Sequence, residues 1–189
     1  FMHRILSIFI YSIAFIVFFL IAPVILLLII VDGSRSSNYL ILLCRFMVFI
    51  FCCKIKIHGD FPDHKTFVIM ANHSSFLDVF AIPCAFNAGK KFSAVVASKN
   101  LKIPIYSLIL KQMKAVSIDR SNREQAIKGI KEAEKILKEG YHIVILPEGT
   151  RSMDGKIGQF KKGGFHLAVN TQADILPIIT KGLSKIKPK

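Results

Sequence analysis

His73 and Asp78 stand five residues apart in the stretch Asn72-His73-Ser74-Ser75-Phe76-Leu77-Asp78. An imidazole takes protons from hydroxyls near neutral pH, and a neighbouring carboxylate selects its tautomer and stabilises the imidazolium that forms. The stretch directly follows residues 66–70, an apolar run that reads as a strand. Ligands collect at the carboxyl ends of strands in α/β folds. Ser74 or Ser75 can cap a helix opening behind them, which sets Asp78 in the first turn and lets its carboxylate wrap back towards His73. A structural reading stays open on these residues alone, with Ser75 and Asp78 as a capping box beside a hydrogen-bonding histidine. A Ser-His-Asp hydrolase fits poorly, because Ser74 adjoins His73 and no G-x-S-x-G elbow is present.

A second group lies in Leu146-Pro147-Glu148-Gly149-Thr150-Arg151-Ser152, after the apolar run 142–146. Arg151 suits bidentate recognition of phosphate, and amides around Gly149 add donors. The plain alternative is a Pro-Gly turn carrying a surface ion pair. It is not a P-loop, since G-x-x-x-x-G-K-[ST] is missing. Ser117-Ile118-Asp119-Arg120 places another guanidinium at a strand end. Phe160-Lys161-Lys162-Gly163-Gly164-Phe165 opens a helix, where free amides beside lysines favour an anion, although a solvated charge run explains it equally well.

The elements that position these groups follow from apolar patterning. Residues 66–70, 94–97, 115–118, 142–146 and 175–179 are rich in Val and Ile and read as buried strands. Residues 76–86, 104–113, 123–139 and 164–169 read as helices between them. The segment 123–139 is the clearest, with Ser121 and Glu124 as a capping box, a stripe of Ile127, Ile130, Ala133 and Leu137, and Gly140 as the terminating residue. Lys128, Lys131, Lys135 and Lys138 cover its other faces. Alternating strands and helices predict an α/β fold, a mixed sheet flanked by helices.

In front of this body, residues 5–31 contain no charge. As a helix they span about 40 Å against a hydrocarbon core of about 30 Å, an excess that tilt or a kink at Pro23 absorbs. A secretory signal peptide fits less well, because the run is too long and no small-residue cleavage site follows. A shorter apolar segment, 39–53, carries Arg45 near its middle and is expected at the membrane interface or turning back. If the pair is a hairpin, its flanking basic residues place both ends in the cytoplasm; if only the first spans, the ends lie on opposite sides. Cys44, Cys52, Cys53 and Cys84 match no metal spacing and read as small apolar residues in a reducing compartment, with acylation of Cys52 or Cys53 a minor alternative.

The chain of 189 residues carries 26 basic and 12 acidic side chains, a formal charge of +14, and is 52% hydrophobic. Disorder is excluded by that hydrophobicity, and a disulfide scaffold by the sparse cysteines. Residues 1–53 hold three Arg and one Asp, so +12 resides in 54–189. An apolar front and a basic body point to a membrane-associated protein with an anionic partner. The division expected is a membrane-associated helical part, 1–53, and an α/β domain, 54–189.

Taken in order, these elements resemble the glycerolipid acyltransferase family, particularly lysophosphatidic acid acyltransferases. His73 to Asp78 matches that family's H-x4-D block, with Asn72 before it. Ser117 to Arg120 resembles the second block, although Lys114, Ala115 and Ser117 stand where Gly and Phe are usual. Pro147 to Ser152 matches the third block without a gap, and the Pro-centred run 175–179 resembles the fourth. The stretch Asp154-Gly155 and Phe160 to Gly163 also reads like the family. The likeness covers about residues 54–183, and relatives commonly continue past the fourth block, so a fragment or a short member is expected. The resemblance implies that His73 is a general base oriented by Asp78. Arg120, Glu148, Gly149, Thr150, Arg151 and Lys161 then bind substrate. The implied reaction moves an acyl group from acyl-CoA or acyl-carrier protein directly to the hydroxyl of lysophosphatidic acid, with no cofactor, no metal and no nucleic acid. The implied place is a membrane, with the catalytic domain on the cytoplasmic face. Glycerol-3-phosphate or another lysophospholipid is the nearest alternative acceptor. A non-catalytic protein binding anionic lipid is the alternative of a different class.

Overall fold

The computed structural model describes residues 2–51, 53–63, 65–119, 122–152, 154 and 156–186, the side chains of 2–11, 14, 15, 18, 105 and 186 excepted. Five strands form one sheet: β1 (Val68–Ala71), β2 (Phe92–Ala97), β3 (Val116–Ile118), β4 (His142–Ile145) and β5 (Ile175–Ile178). Their spatial order is β3-β2-β4-β1-β5. Val68 pairs with Ile143 on one side and Ile175 on the other, Phe92 with His142, and Val95 with Val116.

Every pairing is parallel, so the mixed sheet expected above is corrected. Each strand is joined to the next by a connection containing a helix, which returns the chain to the same edge of the sheet. All five carboxyl ends therefore open on one side. Strand β1 lies inside the sheet between β4 and β5 and is buried along its whole length, as its unbroken apolar sequence requires.

The two faces of the sheet are covered by different helices. Val68, Met70, Ile143 and Ile145 pack under α5 (Arg123–Lys138) and α6 (Gly163–Thr171). Phe67, Ile69, Ala71 and Val144 face α1 (Met2–Val31) and α2 (Ser36–Ile50), through Ile25, Ile29, Leu40, Leu43 and Cys44. The apolar front of the chain thus shares one core with the sheet. Along the rest of α1, Phe19, Leu20, Val24, Leu27 and Val31 are exposed. Among the residues whose side chains are described, no single helix is long and apolar enough to cross a membrane. Phe19–Val31 and Gly33–Ile50 pass that test only together, as a pair bent by 111°. Arg45 is exposed on α2. Cys44 and Cys84 are buried thiols, and Cys52 lies outside the described residues.

Three local expectations change. The helix expected over 76–86 is a four-residue α3 (Asp78–Ala81) running into a 3-10 turn, Ile82–Ala85, because the amides before Asp78 turn onto its carboxylate and Pro83 follows. The N-cap of α5 is Asn122, whose Oδ1 accepts the Gln125 N–H at 3.1 Å, and Ser121 lies outside the described residues. Its buried stripe is Gly129, Ala133, Ile136 and Leu137, while Ile127 is exposed. Gly129 sets that rotation: a Cβ there would lie 2.8 Å from Ile118 Cγ1 and 3.1 Å from the Ser117 carbonyl oxygen. The glycine side is the one on which α5 approaches β3 closely. The remaining helices are α4 (Pro104–Gln112) and α7 (Leu183–Ile186).

Candidate active site

At the carboxyl edge, the chain leaving β1 wraps around a single carboxylate. Asp78 is fully buried. Its Oδ2 accepts the N–H groups of Ser74 at 2.7 Å and Ser75 at 2.8 Å, and lies 3.0 Å from His73 Nδ1. Its Oδ1 accepts the hydroxyls of Thr180 at 3.0 Å and Ser74 at 3.3 Å. The Asp reaches back to the serine amides, as the acidic member of a capping box does, and the Ser75 hydroxyl accepts the Leu77 N–H. Burial acts to raise the Asp78 pKa, but the bonds from His73, Ser75, Thr180 and Ser74 outweigh it and hold the carboxyl below the usual carboxylate range. An ionised carboxylate at Nδ1 selects the tautomer with Nδ1–H and leaves Nε2 as the basic nitrogen. The His73 side chain retains 18% exposure, so the ring is not sealed in the core.

Glu148, in the loop after β4, faces the same turn from the neighbouring strand. It is 6% exposed. Its Oε1 accepts the His73 N–H at 2.7 Å and its Oε2 accepts the Gly158 N–H at 2.8 Å. Both carboxylate oxygens are thus directed at main chain. The Ser152 N–H returns to the His73 carbonyl at 2.8 Å, and the Lys161 N–H to the Pro147 carbonyl at 2.8 Å. These bonds close the segment 149–161 into a cleft of about 530 Å³ lined by Gly149, Thr150, Arg151, Lys156 and Lys161, with Glu148 in its wall. Gly149 has φ +77°, a left-handed conformation that favours glycine and turns the chain sharply off β4.

The structure therefore brings His73 and Asp78 into contact and sets Glu148, Gly149, Thr150, Arg151 and Lys161 together around one cleft tied to His73. Arg120, expected beside them, lies outside the described residues; Ile118 ends β3 on the same edge and Asp119 follows it. Among the described residues, no group of three or more His, Cys, Asp or Glu side chains is placed to hold a metal ion. The sequence reading missed Thr180. Asn72, adjacent to the motif, was missed in its contacts: its Oδ1 accepts the Thr180 N–H at 2.7 Å and its Nδ2 donates to the Thr180 carbonyl at 3.0 Å. The only sequence signal for Thr180 is its position just after the fifth apolar run.

Residues 54–181 match the model of the family described as Acyltransferase. The chain belongs to that family. It is 35% identical over 138 residues to the chloroplastic 1-acyl-sn-glycerol-3-phosphate acyltransferase of Arabidopsis thaliana, covering 71% of this chain and 38% of that one. It is 36% identical over 115 residues to the 1-acyl-sn-glycerol-3-phosphate acyltransferase of Pseudomonas aeruginosa, covering 60% and 44%. An acyltransferase of Schizosaccharomyces pombe is 42% identical over 129 residues, covering 66% and 45%. The chain spans less than half the length of these relatives. The crystal structure of the 1-acyl-sn-glycerophosphate acyltransferase PlsC from Thermotoga maritima has the same fold, with a TM-score of 0.72 over 93% of this chain and 73% of that one at 23% identity.

Proposed function

We propose that the chain transfers a fatty acyl group from an acyl thioester, acyl-CoA or acyl-carrier protein, to the free hydroxyl of lysophosphatidic acid, giving phosphatidic acid at a membrane surface. His73 Nε2 removes the hydroxyl proton as the oxygen attacks the thioester carbonyl. The tetrahedral adduct collapses, the C–S bond breaks, and the thiolate leaves with the proton returned from the imidazolium. Asp78 stabilises the imidazolium in between. No acyl-enzyme forms and no cofactor beyond the thioester takes part. Proton transfer of this kind contributes about 10²–10⁴-fold, and positioning of the two substrates supplies much of the rest.

The observation that carries the reading is the 3.0 Å contact between His73 Nδ1 and a fully buried Asp78, beside a cleft lined by Arg151 and Lys161. An acceptor bearing phosphate gains a fork-shaped donor from Arg151 and a point charge from Lys161. Thr150 and the amides near Gly149 add neutral donors. Glu148 takes a framing role here: with both oxygens bonded to main chain, it holds His73 and the 158 turn in register. The exposed apolar side of α1 and the bent pair with α2 support attachment to a bilayer, and the basic residues flanking the apolar front support a catalytic domain on the cytoplasmic side.

The test is an acceptor and donor panel on the full chain in detergent or lipid vesicles. Lysophosphatidic acid, glycerol-3-phosphate and lysophosphatidylcholine are each offered with acyl-CoA and with acyl-carrier protein. Turnover highest with lysophosphatidic acid supports the reading. Faster turnover of glycerol-3-phosphate would reassign the acceptor, and salt-sensitive vesicle binding without any turnover would replace the enzyme by a lipid-binding protein.

A further inference from the structure

Three side chains, Asn72, Thr180 and Asp78, join the end of β5 to the turn after β1. The main chain of Thr180 is clasped at two points by the Asn72 amide, at 2.7 and 3.0 Å. The Thr180 hydroxyl then stands 3.2 Å from Asn72 Oδ1 and 3.0 Å from Asp78 Oδ1. It has one proton to give. Asn72 Oδ1 already accepts the Thr180 N–H, and the ionised carboxylate is both nearer and the stronger acceptor, so the proton goes to Asp78.

We propose that Thr180 is a positioning residue for acyl transfer, its hydroxyl holding the Asp78 carboxylate turned towards the His73 ring. The inference deepens the function proposed above and rests on it. Rotation of a carboxylate about its last bond is soft. The two serine amides anchor Oδ2 alone, and they leave the carboxylate able to swing about that atom. A second anchor on Oδ1 removes the swing, and the Thr180 hydroxyl at 3.0 Å is closer than the Ser74 hydroxyl at 3.3 Å. Thr180 is 102 residues away in the chain, and it arrives because β5 pairs with β1 so that Ile178 lies beside Ala71. The fifth apolar run thus contributes to the site through the residue that follows it.

The experiment compares the wild-type chain with Thr180→Val and Thr180→Ser in the lysophosphatidic acid and acyl-CoA assay, with melting followed in parallel. Val keeps the branched shape and loses the donor; Ser keeps the donor. Loss of one hydrogen bond to a charged group is expected to lower kcat about 10-fold in Thr180→Val. KM for both substrates should stay within about twofold, and Thr180→Ser should recover at least half of the wild-type kcat. An active wild type with Thr180→Val at full rate overturns the inference alone. So does a Thr180→Val loss that Thr180→Ser does not repair, or one that only tracks the folded fraction. A wild-type chain without turnover overturns the functional reading, and this inference with it.

Discussion

Replacing Asp78 by Asn separates the charge of the buried carboxylate from its shape. With the amide oxygen in the place of Oδ2, the variant still accepts the Ser74 and Ser75 N–H groups and the His73 ring. The amide nitrogen, in the place of Oδ1, donates to the Ser74 and Thr180 hydroxyls, which rotate to accept; the Thr180 proton then goes to Asn72 Oδ1. The fold is therefore expected to survive, and the interaction that disappears is between a carboxylate and the imidazolium of the transition state. At 3.0 Å and an effective dielectric constant of about 20, Coulomb's law gives that pair at most about 5.5 kcal/mol. The amide retains a neutral hydrogen bond, so about 3–4 kcal/mol of transition-state stabilisation is lost, or roughly 10²–10³-fold in kcat. The assay is the initial rate of phosphatidic acid formation from lysophosphatidic acid and labelled acyl-CoA, with vesicle flotation and thermal melting as controls. An Asp78→Asn chain that melts normally and turns over within about threefold of wild type would refute the reasoning. A chain that no longer melts cooperatively would move Asp78 from the chemistry to the fold.

Glu148→Gln behaves in the opposite way, because both oxygens face N–H donors and an amide nitrogen must point at one of them. One buried donor loses its partner, at about 1–3 kcal/mol, so melting falls by about 2–10 °C and activity falls with it. Arg151→Ala is expected to raise KM for lysophosphatidic acid about 10–100-fold at unchanged melting, and to leave monoacylglycerol, which lacks phosphate, unaffected. Buried His142 accepts the Phe67 N–H, and burial, helped by Lys90, lowers its pKa from 6.5 to about 4. Between those values the unfolded chain binds the proton and the folded chain does not, so stability is lost as pH falls from about 6.5 towards 4. Urea unfolding at pH 7 and pH 5 should differ by about 2 kcal/mol from this group, and His142→Asn should reduce the difference.

Much of the site could be placed from the sequence because its residues follow apolar runs of Val and Ile too short for helices. Residues 66–70 and 142–146 announced β1 and β4, and with them the loops that hold His73 and Arg151. Direction was encoded as well, because helix-length connections between successive strands favour parallel pairing, which the mixed sheet expected above overlooked. The orientation of Glu148 depends on two amides, of His73 and Gly158, that are remote in the chain. Thr180 carries no local signal, since a threonine after a strand is ordinary until β5 is known to lie against β1. Ile127 looked like core by spacing, yet a close approach at Gly129 turned the α5 helix away from it.

The proton acceptor is the centre of the account, and His73→Ala examines it most directly. The expected result is a fall in phosphatidic acid formation of at least about 10³-fold, with vesicle binding and melting retained, since the ring is partly exposed and its loss leaves Asp78 with its serine and threonine donors. Turnover within tenfold of the wild-type rate would show that some other group deprotonates the acceptor.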